Sequence, residues 1–279
     1  MKIELAEKYG FCFGVKRAIK IAEENQNSAT YGPLIHNPKE IERLKNNFNV
    51  DLTNDYKSFQ TGDKAIIRTH GIPKNELAEL KEKNVEVIDA TCPYVTKPQQ
   101  ISQQMSEEGY QVVIFGDDNH PEIKGVKSYA DNAIVITSAD ELEDLHLSEK
   151  IALVAQTTRK VEDYLAIANY LIPRHKEVRV FNTICNATFE NQEAVKKLAK
   201  RADIMIIIGG KNSSNTKQLF HIASEYCQNS YHIEDENDLD FQWFDGKNLC
   251  GISAGASTPD WIIQNVVDTI AQGTKVEKN

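Results

Sequence analysis

What the chain lacks sets the first limits. No stretch of its 279 residues approaches the roughly 18 consecutive apolar residues of a membrane-crossing helix, and Met1-Lys2-Ile3-Glu4 opens no signal peptide, so a cytoplasmic protein away from the membrane is expected. There is no G-x-x-x-x-G-K-[ST] loop and no G-x-G-x-x-G fingerprint, which removes the usual cradles for nucleotide phosphates. Positive charge is in deficit: 32 Lys and Arg against 41 Asp and Glu leave a formal net charge of −9. With the basic residues scattered, a nucleic-acid partner is not expected. Cysteines number only five, with no C-x-x-C pair among them, which argues against both a disulfide framework and an ordinary zinc ribbon.

What is present is one layout used three times. Cys12, Cys92 and Cys185 each close a short β-prone run (Ile3 to Leu5, Val85 to Ile88, Val178 to Phe181), and each opens a run of helical period (Val15 to Glu24, Val95 to Glu108, Phe189 to Arg201). A thiol at a helix start is in the field that favours thiolate, the form that binds metal. The three lie too far apart in the chain for a local zinc knuckle, so a shared site requires the fold to bring them together. Cys227 ends an amphipathic run and Cys250 lies in Leu249-Cys250-Gly251-Ile252, where buried packing is the simpler reading.

Between the thiols, strands alternate with helices, and six apolar strands run into polar loops: His36-Asn37-Pro38, Thr69-His70-Gly71, Asp118-Asn119-His120-Pro121-Glu122, Gln156-Thr157-Thr158, Lys211-Asn212-Ser213-Ser214-Asn215 and Ala254-Gly255-Ala256-Ser257. This order predicts an α/β fold of three similar parallel-sheet units, with ligands beyond the carboxyl ends of the strands. The expected boundaries are 13–92, 93–184 and 185–272. The N-terminal strand within 1–12 completes the third sheet and closes a ring, and 273–279 is a disordered tail. Pro38, Pro73, Pro121 and Pro259 are expected at first helical positions, with Thr216 in the matching place of the third unit; such N-termini suit an anion such as diphosphate.

Three converging thiolates suit either a structural zinc with a fourth donor or an iron-sulfur cluster with one iron lacking a protein ligand, and spacing does not choose between them. Core packing of the thiols is the third reading. Taken singly, each Ser or Asn reads as a turn or cap residue and each His as a surface loop residue. Glu122 reads as an acid in a first helical turn, and Thr157 or Thr158 as a helix cap.

Eight fragments in order change that balance. Tyr9-Gly10-Phe11-Cys12-Phe13-Gly14-Val15, Arg68-Thr69-His70-Gly71, Asp89-Ala90-Thr91-Cys92-Pro93, His120-Pro121-Glu122, Gln156-Thr157-Thr158, Asn182-Thr183-Ile184-Cys185-Asn186-Ala187-Thr188, Lys211 to Asn215 and Ala254-Gly255-Ala256-Ser257-Thr258-Pro259-Asp260 together resemble the 4-hydroxy-3-methylbut-2-enyl diphosphate reductase family, from the N-terminus to about residue 270. The resemblance implies a pseudo-threefold trefoil around a central 4Fe-4S cluster held by Cys12, Cys92 and Cys185. It implies reductive removal of an allylic hydroxyl to give isopentenyl and dimethylallyl diphosphates, with electrons from ferredoxin or flavodoxin. By motif, Glu122 resembles the proton donor, relayed through Thr157, while His36, His70, His120, Thr157, Ser213, Ser214, Asn215 and Ser257 resemble substrate ligands. Asn186, where the family often has serine or tyrosine, and the loop Gly116-Asp117-Asp118-Asn119 depart from the pattern without touching a proposed ligand.

Two other classes compete with that reading. One is a non-redox isomerase or lyase acting on a phosphate ligand, with core cysteines; the other is a binding module holding structural zinc. His146, His175, His221 and His232 read as structural or exposed, Trp243 and Trp261 as packing residues, and Glu234 to Asp238 as a solvated acidic connector.

Overall fold

The sequence alternates short apolar strands with amphipathic helices, and the computed structural model, which describes residues 1–276, turns that alternation into three parallel sheets. The first stretch holds β1 (Lys2–Leu5), α1 (Phe13–Glu24), β2 (Ser28–Tyr31), α2 (Pro38–Phe48), β3 (Val50–Thr53), β4 (Lys64–Ile67), α3 (Lys74–Glu82) and β5 (Glu86–Asp89). Then come α4 (Pro93–Glu107), β6 (Gln111–Phe115), α5 (Pro121–Lys127), β7 (Ile134–Ile136), β8 (Lys150–Ala155), α6 (Val161–Leu171) and β9 (Glu177–Val180). The last stretch holds α7 (Asn186–Ala199), β10 (Ile204–Ile208), α8 (Ser214–Tyr226), β11 (Ser230–Ile233), β12 (Leu249–Ala254) and α9 (Asp260–Val276).

The three sheets share one strand order: β3-β2-β4-β5, β7-β6-β8-β9 and β11-β10-β12-β1, every ladder parallel. The fourth strand of the last sheet is the N-terminal one, with Ile3 opposite Cys250 and Leu5 opposite Ile252. By its contacts the chain divides into two compact units. One comprises Met1–Val15, Ile35–Glu40 and the chain from Asn186 onward, and contains the β11-β10-β12-β1 sheet; the other comprises Lys16–Leu34 and Ile41–Cys185, and contains the other two sheets.

In the sheets β7-β6-β8-β9 and β11-β10-β12-β1 the central strands β6 and β10 are apolar runs whose side chains alternate between two cores, one on each face. In β10, Ile204, Ile206 and Ile208 pack with Ile262, Val266 and Ile270 of α9, while Met205 and Ile207 pack with Val195 and Leu198 of α7 and Leu219 and Ile222 of α8. In β6, Val113 and Phe115 face Tyr164, Ile167 and Leu171 of α6, and Val112 and Ile114 face Met105 of α4 and Ile123 and Val126 of α5. Full burial of each such side chain contributes about 1.5–3 kcal/mol. No helix among the described residues is long and apolar enough to cross a membrane.

Some helix starts differ from the expected ones. Pro38 and Pro121 do open α2 and α5, but Pro73 is the residue before the first turn of α3, and α9 begins after Pro259. Thr216 is not a first helical residue, because the Ser213 hydroxyl caps α8 by accepting the Thr216 N–H at 3.2 Å. α9 runs on past residue 273 to Val276, and Gly273 lets it lie close against Phe241, where an added Cβ would overlap the ring. The rest of the expected tail, residues 277–279, lies outside the described residues.

Candidate functional site

The three repeated cysteines occupy equivalent places. Cys12 donates its backbone N–H to the carbonyl of Ala256 at 3.3 Å, Cys92 to that of Thr69 at 3.0 Å, and Cys185 to that of Thr157 at 2.9 Å. Each acceptor lies two residues beyond the end of the neighbouring strand, β12, β4 and β8 respectively. Each cysteine is followed at once by a helix, α1, α4 or α7, so its sulfur is carried at a helix start. Cys12 and Cys92 are half-buried and Cys185 is buried, and no disulfide forms among the described residues. Cys227 and Cys250 differ. Both pack in the core of the β11-β10-β12-β1 sheet, and burial pushes the Cys250 thiol up to about 12, unsuited to a thiolate ligand.

Within the unit that holds the first two sheets, α5 brings His120 and Glu122 to the end of β6. His120 caps the helix: its Nδ1 accepts the Glu122 N–H at 3.2 Å, which leaves Nε2 as the N–H donor of the neutral ring. The His70 ring meets the His120 ring edge to face, with centroids 5.4 Å apart. Glu122 is 1% exposed, and its carboxyl takes two hydrogen bonds from Thr157, from the N–H to Oε1 at 2.7 Å and from the hydroxyl to Oε2 at 2.8 Å. Burial pushes its pKa to about 7, against the opposing effect of those two bonds. The site therefore holds a carboxyl that exchanges its proton near neutral pH. Thr157 and Thr158 do not cap α6, which starts after Lys160 without a side-chain cap.

Sequence reasoning passed over Arg159 and gave Gln156 no role. The Arg159 guanidinium is largely buried over the Phe115 ring, 5.1 Å from its centroid, with Nε lacking a hydrogen-bond partner, and its charge favours the ionised form of Glu122. Gln156 accepts the Asp117 N–H at 3.0 Å and so ties the loop before His120 to the end of β8. Gln156 stands in the quoted fragment Gln156-Thr157-Thr158, whereas the sequence signal for Arg159 is its nearness to that fragment.

Within the other unit, α8 and the loop after β12 carry the remaining polar residues. Ser213 is the cap of α8, Ser214 its first residue, and Asn215 is buried with neither its amide oxygen nor its amide nitrogen hydrogen-bonded, two polar atoms that a ligand would satisfy. Ser257 donates to the carbonyl of His36 at 3.3 Å, and Thr258 to that of Ile208 at 3.0 Å. His36, Ser213, Ser214, Asn215, Ser257 and Cys12 thus belong to one unit, and His70, His120, Glu122, Thr157, Cys92 and Cys185 to the other. Of the remaining histidines, His232 holds the Gly209 carbonyl at 2.9 Å, burial lowering its pKa, and His175 bonds the Ser148 carbonyl at 2.9 Å, both structural uses. Trp243 stacks on Tyr231 at 3.9 Å.

Residues 3–271 match the family model described as LytB protein. The chain is 79% identical over 97% of its length to the 4-hydroxy-3-methylbut-2-enyl diphosphate reductase of Sulfurimonas denitrificans, covering 98% of that protein, and 68% identical over 97% of its length to that of Campylobacter concisus, covering 99%. It superposes with TM-score 0.71 on a solved structure of (E)-4-hydroxy-3-methyl-but-2-enyl diphosphate reductase, described as the terminal enzyme of the non-mevalonate pathway. That protein is 46% identical, and the match covers 97% of this chain and 99% of the other. With the E-1-hydroxy-2-methyl-but-2-enyl-4-diphosphate reductase of Plasmodium falciparum the TM-score is 0.90 at 27% identity, over 95% and 86% of the two chains.

Proposed function

We propose, for a chain that belongs to the LytB protein family, that it reduces 4-hydroxy-3-methylbut-2-enyl diphosphate to isopentenyl and dimethylallyl diphosphates. The reaction takes two electrons and two protons and releases the hydroxyl as water. Alongside family membership, the observation that carries the reading is the threefold use of one cysteine position, a backbone-anchored thiol at a helix start.

That donor set fits a 4Fe-4S cluster. Three thiols share a geometry, the two remaining cysteines are sequestered in a core, and none is lost to a disulfide. Cys12, Cys92 and Cys185 would hold the cluster, which when bound supplies electrons and an iron without a protein ligand as a Lewis acid. Electrons come from a small one-electron carrier of the ferredoxin or flavodoxin type, and the enzyme works in the cytoplasm.

The polypeptide supplies protons and anion binding. Hydroxide leaves poorly, so Glu122 gives the departing oxygen its proton, with the Thr157 hydroxyl orienting that proton. Thr157 also contacts the substrate hydroxyl. Asn215 offers its amide to the diphosphate, with Ser213 and Ser214 as neutral donors and the start of α8 as a favourable field, and Ser257 joins them by turning its one hydroxyl hydrogen from the His36 carbonyl to the anion. His36, His70 and His120 donate N–H groups to the same anion; a bound diphosphate favours the charged forms of His36 and His70, while His120 donates from Nε2 as the neutral ring that caps α5.

Anaerobic purification with iron and acid-labile sulfide analysis tests the proposal. Four irons and four sulfides per chain, with turnover of the allylic diphosphate under a low-potential reductant, are the expected result. Zinc without sulfide, or a colourless protein that is fully active, overturns it.

A further inference from the structure

Glu234-Asp235-Glu236-Asn237-Asp238 reads in the sequence as a solvated connector, and its contacts give it another role. Glu234 Oε1 accepts the backbone N–H of Lys211 at 2.8 Å, and Asp238 Oδ2 lies 3.9 Å from Lys211 Nζ, so the connector holds the start of the loop that carries Ser213, Ser214 and Asn215. Asp235, with a side chain only 15% exposed, forms an ion pair with Lys39 at 2.7 Å. Lys39 lies on Ile35–Glu40, the short stretch that also carries His36 and that packs in the same unit as the connector.

That stretch is held at three further points. Ser257 Oγ donates to the His36 carbonyl at 3.3 Å, and Trp261 Nε1 of α9 donates to the buried Glu40 carboxylate at 3.4 Å. Gly210 makes room for the approach, since a Cβ there would stand 2.5 Å from the His36 carbonyl oxygen. His36 is therefore strapped on one side to Ser257 and Gly210, and on the other, through Lys39 and Glu40, to Asp235 and Trp261.

We propose that Lys39 and Asp235 are positioning residues of the diphosphate site, acting through the strap to hold His36 in register with Ser257 and the loop from Lys211 to Asn215. The inference rests on the reading that His36 binds the diphosphate. An anion recognised by several weak donors gains affinity when those donors are ordered in advance, because the ordering entropy is not spent at binding. The ion pair bridges segments far apart in the chain and fixes the strap three residues after His36. The Trp261–Glu40 bond secures the next residue. Neither Lys39 nor Asp235 needs to touch the substrate.

The test is the binding of inorganic diphosphate to the cluster-loaded full chain by calorimetry, alongside KM and kcat for the allylic diphosphate. Lys39→Met and Asp235→Asn are each expected to weaken diphosphate binding and to raise KM about five- to tenfold, with kcat within about twofold of the parent. The reversed pair Lys39→Asp with Asp235→Lys is expected to recover most of both, which a simple loss of folding would not allow. His36→Ala is the reference for the strap's target. If His36→Ala loses diphosphate affinity while Lys39→Met and Asp235→Asn keep it, the strap has no positioning role and the inference falls alone. If His36→Ala itself binds diphosphate like the parent, the reading of His36 falls and takes the inference with it.

Discussion

Thr157 holds Glu122 by both carboxylate oxygens, through its backbone N–H at 2.7 Å and its hydroxyl at 2.8 Å, and the carbonyl of the same residue accepts the Cys185 N–H at 2.9 Å. One residue thus connects the proposed proton donor to a proposed cluster ligand. The consequences can be tested separately.

Glu122→Gln keeps the shape and the hydrogen-bond acceptor but removes the proton. Turnover is expected to fall about 10²–10⁴-fold, the usual range for a positioned general acid, while the visible absorbance of the cluster and the affinity for inorganic diphosphate stay near those of the parent. Steady-state kinetics with saturating reductant, paired with absorbance spectra, check this. Near-parental turnover would remove Glu122 from the mechanism.

The raised pKa of Glu122 carries a stability signature. Its pKa rises from 4.5 to about 7 because burial disfavours the ionised form, so the folded state holds the proton more tightly than the unfolded chain. The resulting stabilisation is complete below about pH 4.5 and is lost as pH rises through about 7, on the order of 3 kcal/mol in total. Glu122→Gln has no such proton to lose. Denaturant unfolding of both forms across this range should show the difference between them growing with pH in favour of the glutamine variant.

Thr157→Val removes the hydroxyl bond to Glu122 and leaves the backbone one. Both Thr157 bonds favour the ionised carboxylate, so losing the hydroxyl pushes the Glu122 pKa higher still. The pH profile of kcat is expected to move its Glu122-dependent limb to higher pH, with Thr157→Ser returning it toward the parental position. A profile that does not move would separate Thr157 from the ionisation of Glu122.

The two classes of cysteine are expected to respond in opposite ways. Cys92→Ser is expected to lose iron, sulfide and turnover together, with the circular dichroism of the fold retained, because the bond from its backbone N–H to the Thr69 carbonyl survives the change. Cys250→Ser is expected to keep the cluster but to lose about 1–3 kcal/mol of stability, because a hydroxyl is placed among the buried residues around β12. Metal analysis and thermal melts on the two variants distinguish the roles.

Much of the fold was legible because strand and helix periods are local. The apolar run Ile204 to Ile208 and the spacing of Ile262, Val266 and Ile270 each announce a buried face before any contact is known. The strand run before each of Cys12, Cys92 and Cys185, and the helical period after it, likewise place the thiols at strand-to-helix junctions. Helix starts were less legible, since a proline serves the residue before a helix as well as its first position, as at Pro73, and a serine such as Ser213 takes the cap before Thr216 can.

The sequence by itself determined the three-sheet α/β plan, the loops that hold the polar residues and the cysteines that differ from the core pair, because all of these follow from the period and chemistry of neighbouring residues. Only the tertiary structure decided that Glu122 is buried against Thr157, that Arg159 lies over Phe115, and that Asp235 holds Lys39 rather than facing water. Those outcomes depend on which distant segments share an environment, and the burial and charge that tune a carboxyl or fix a strap exist only once the sheets have packed.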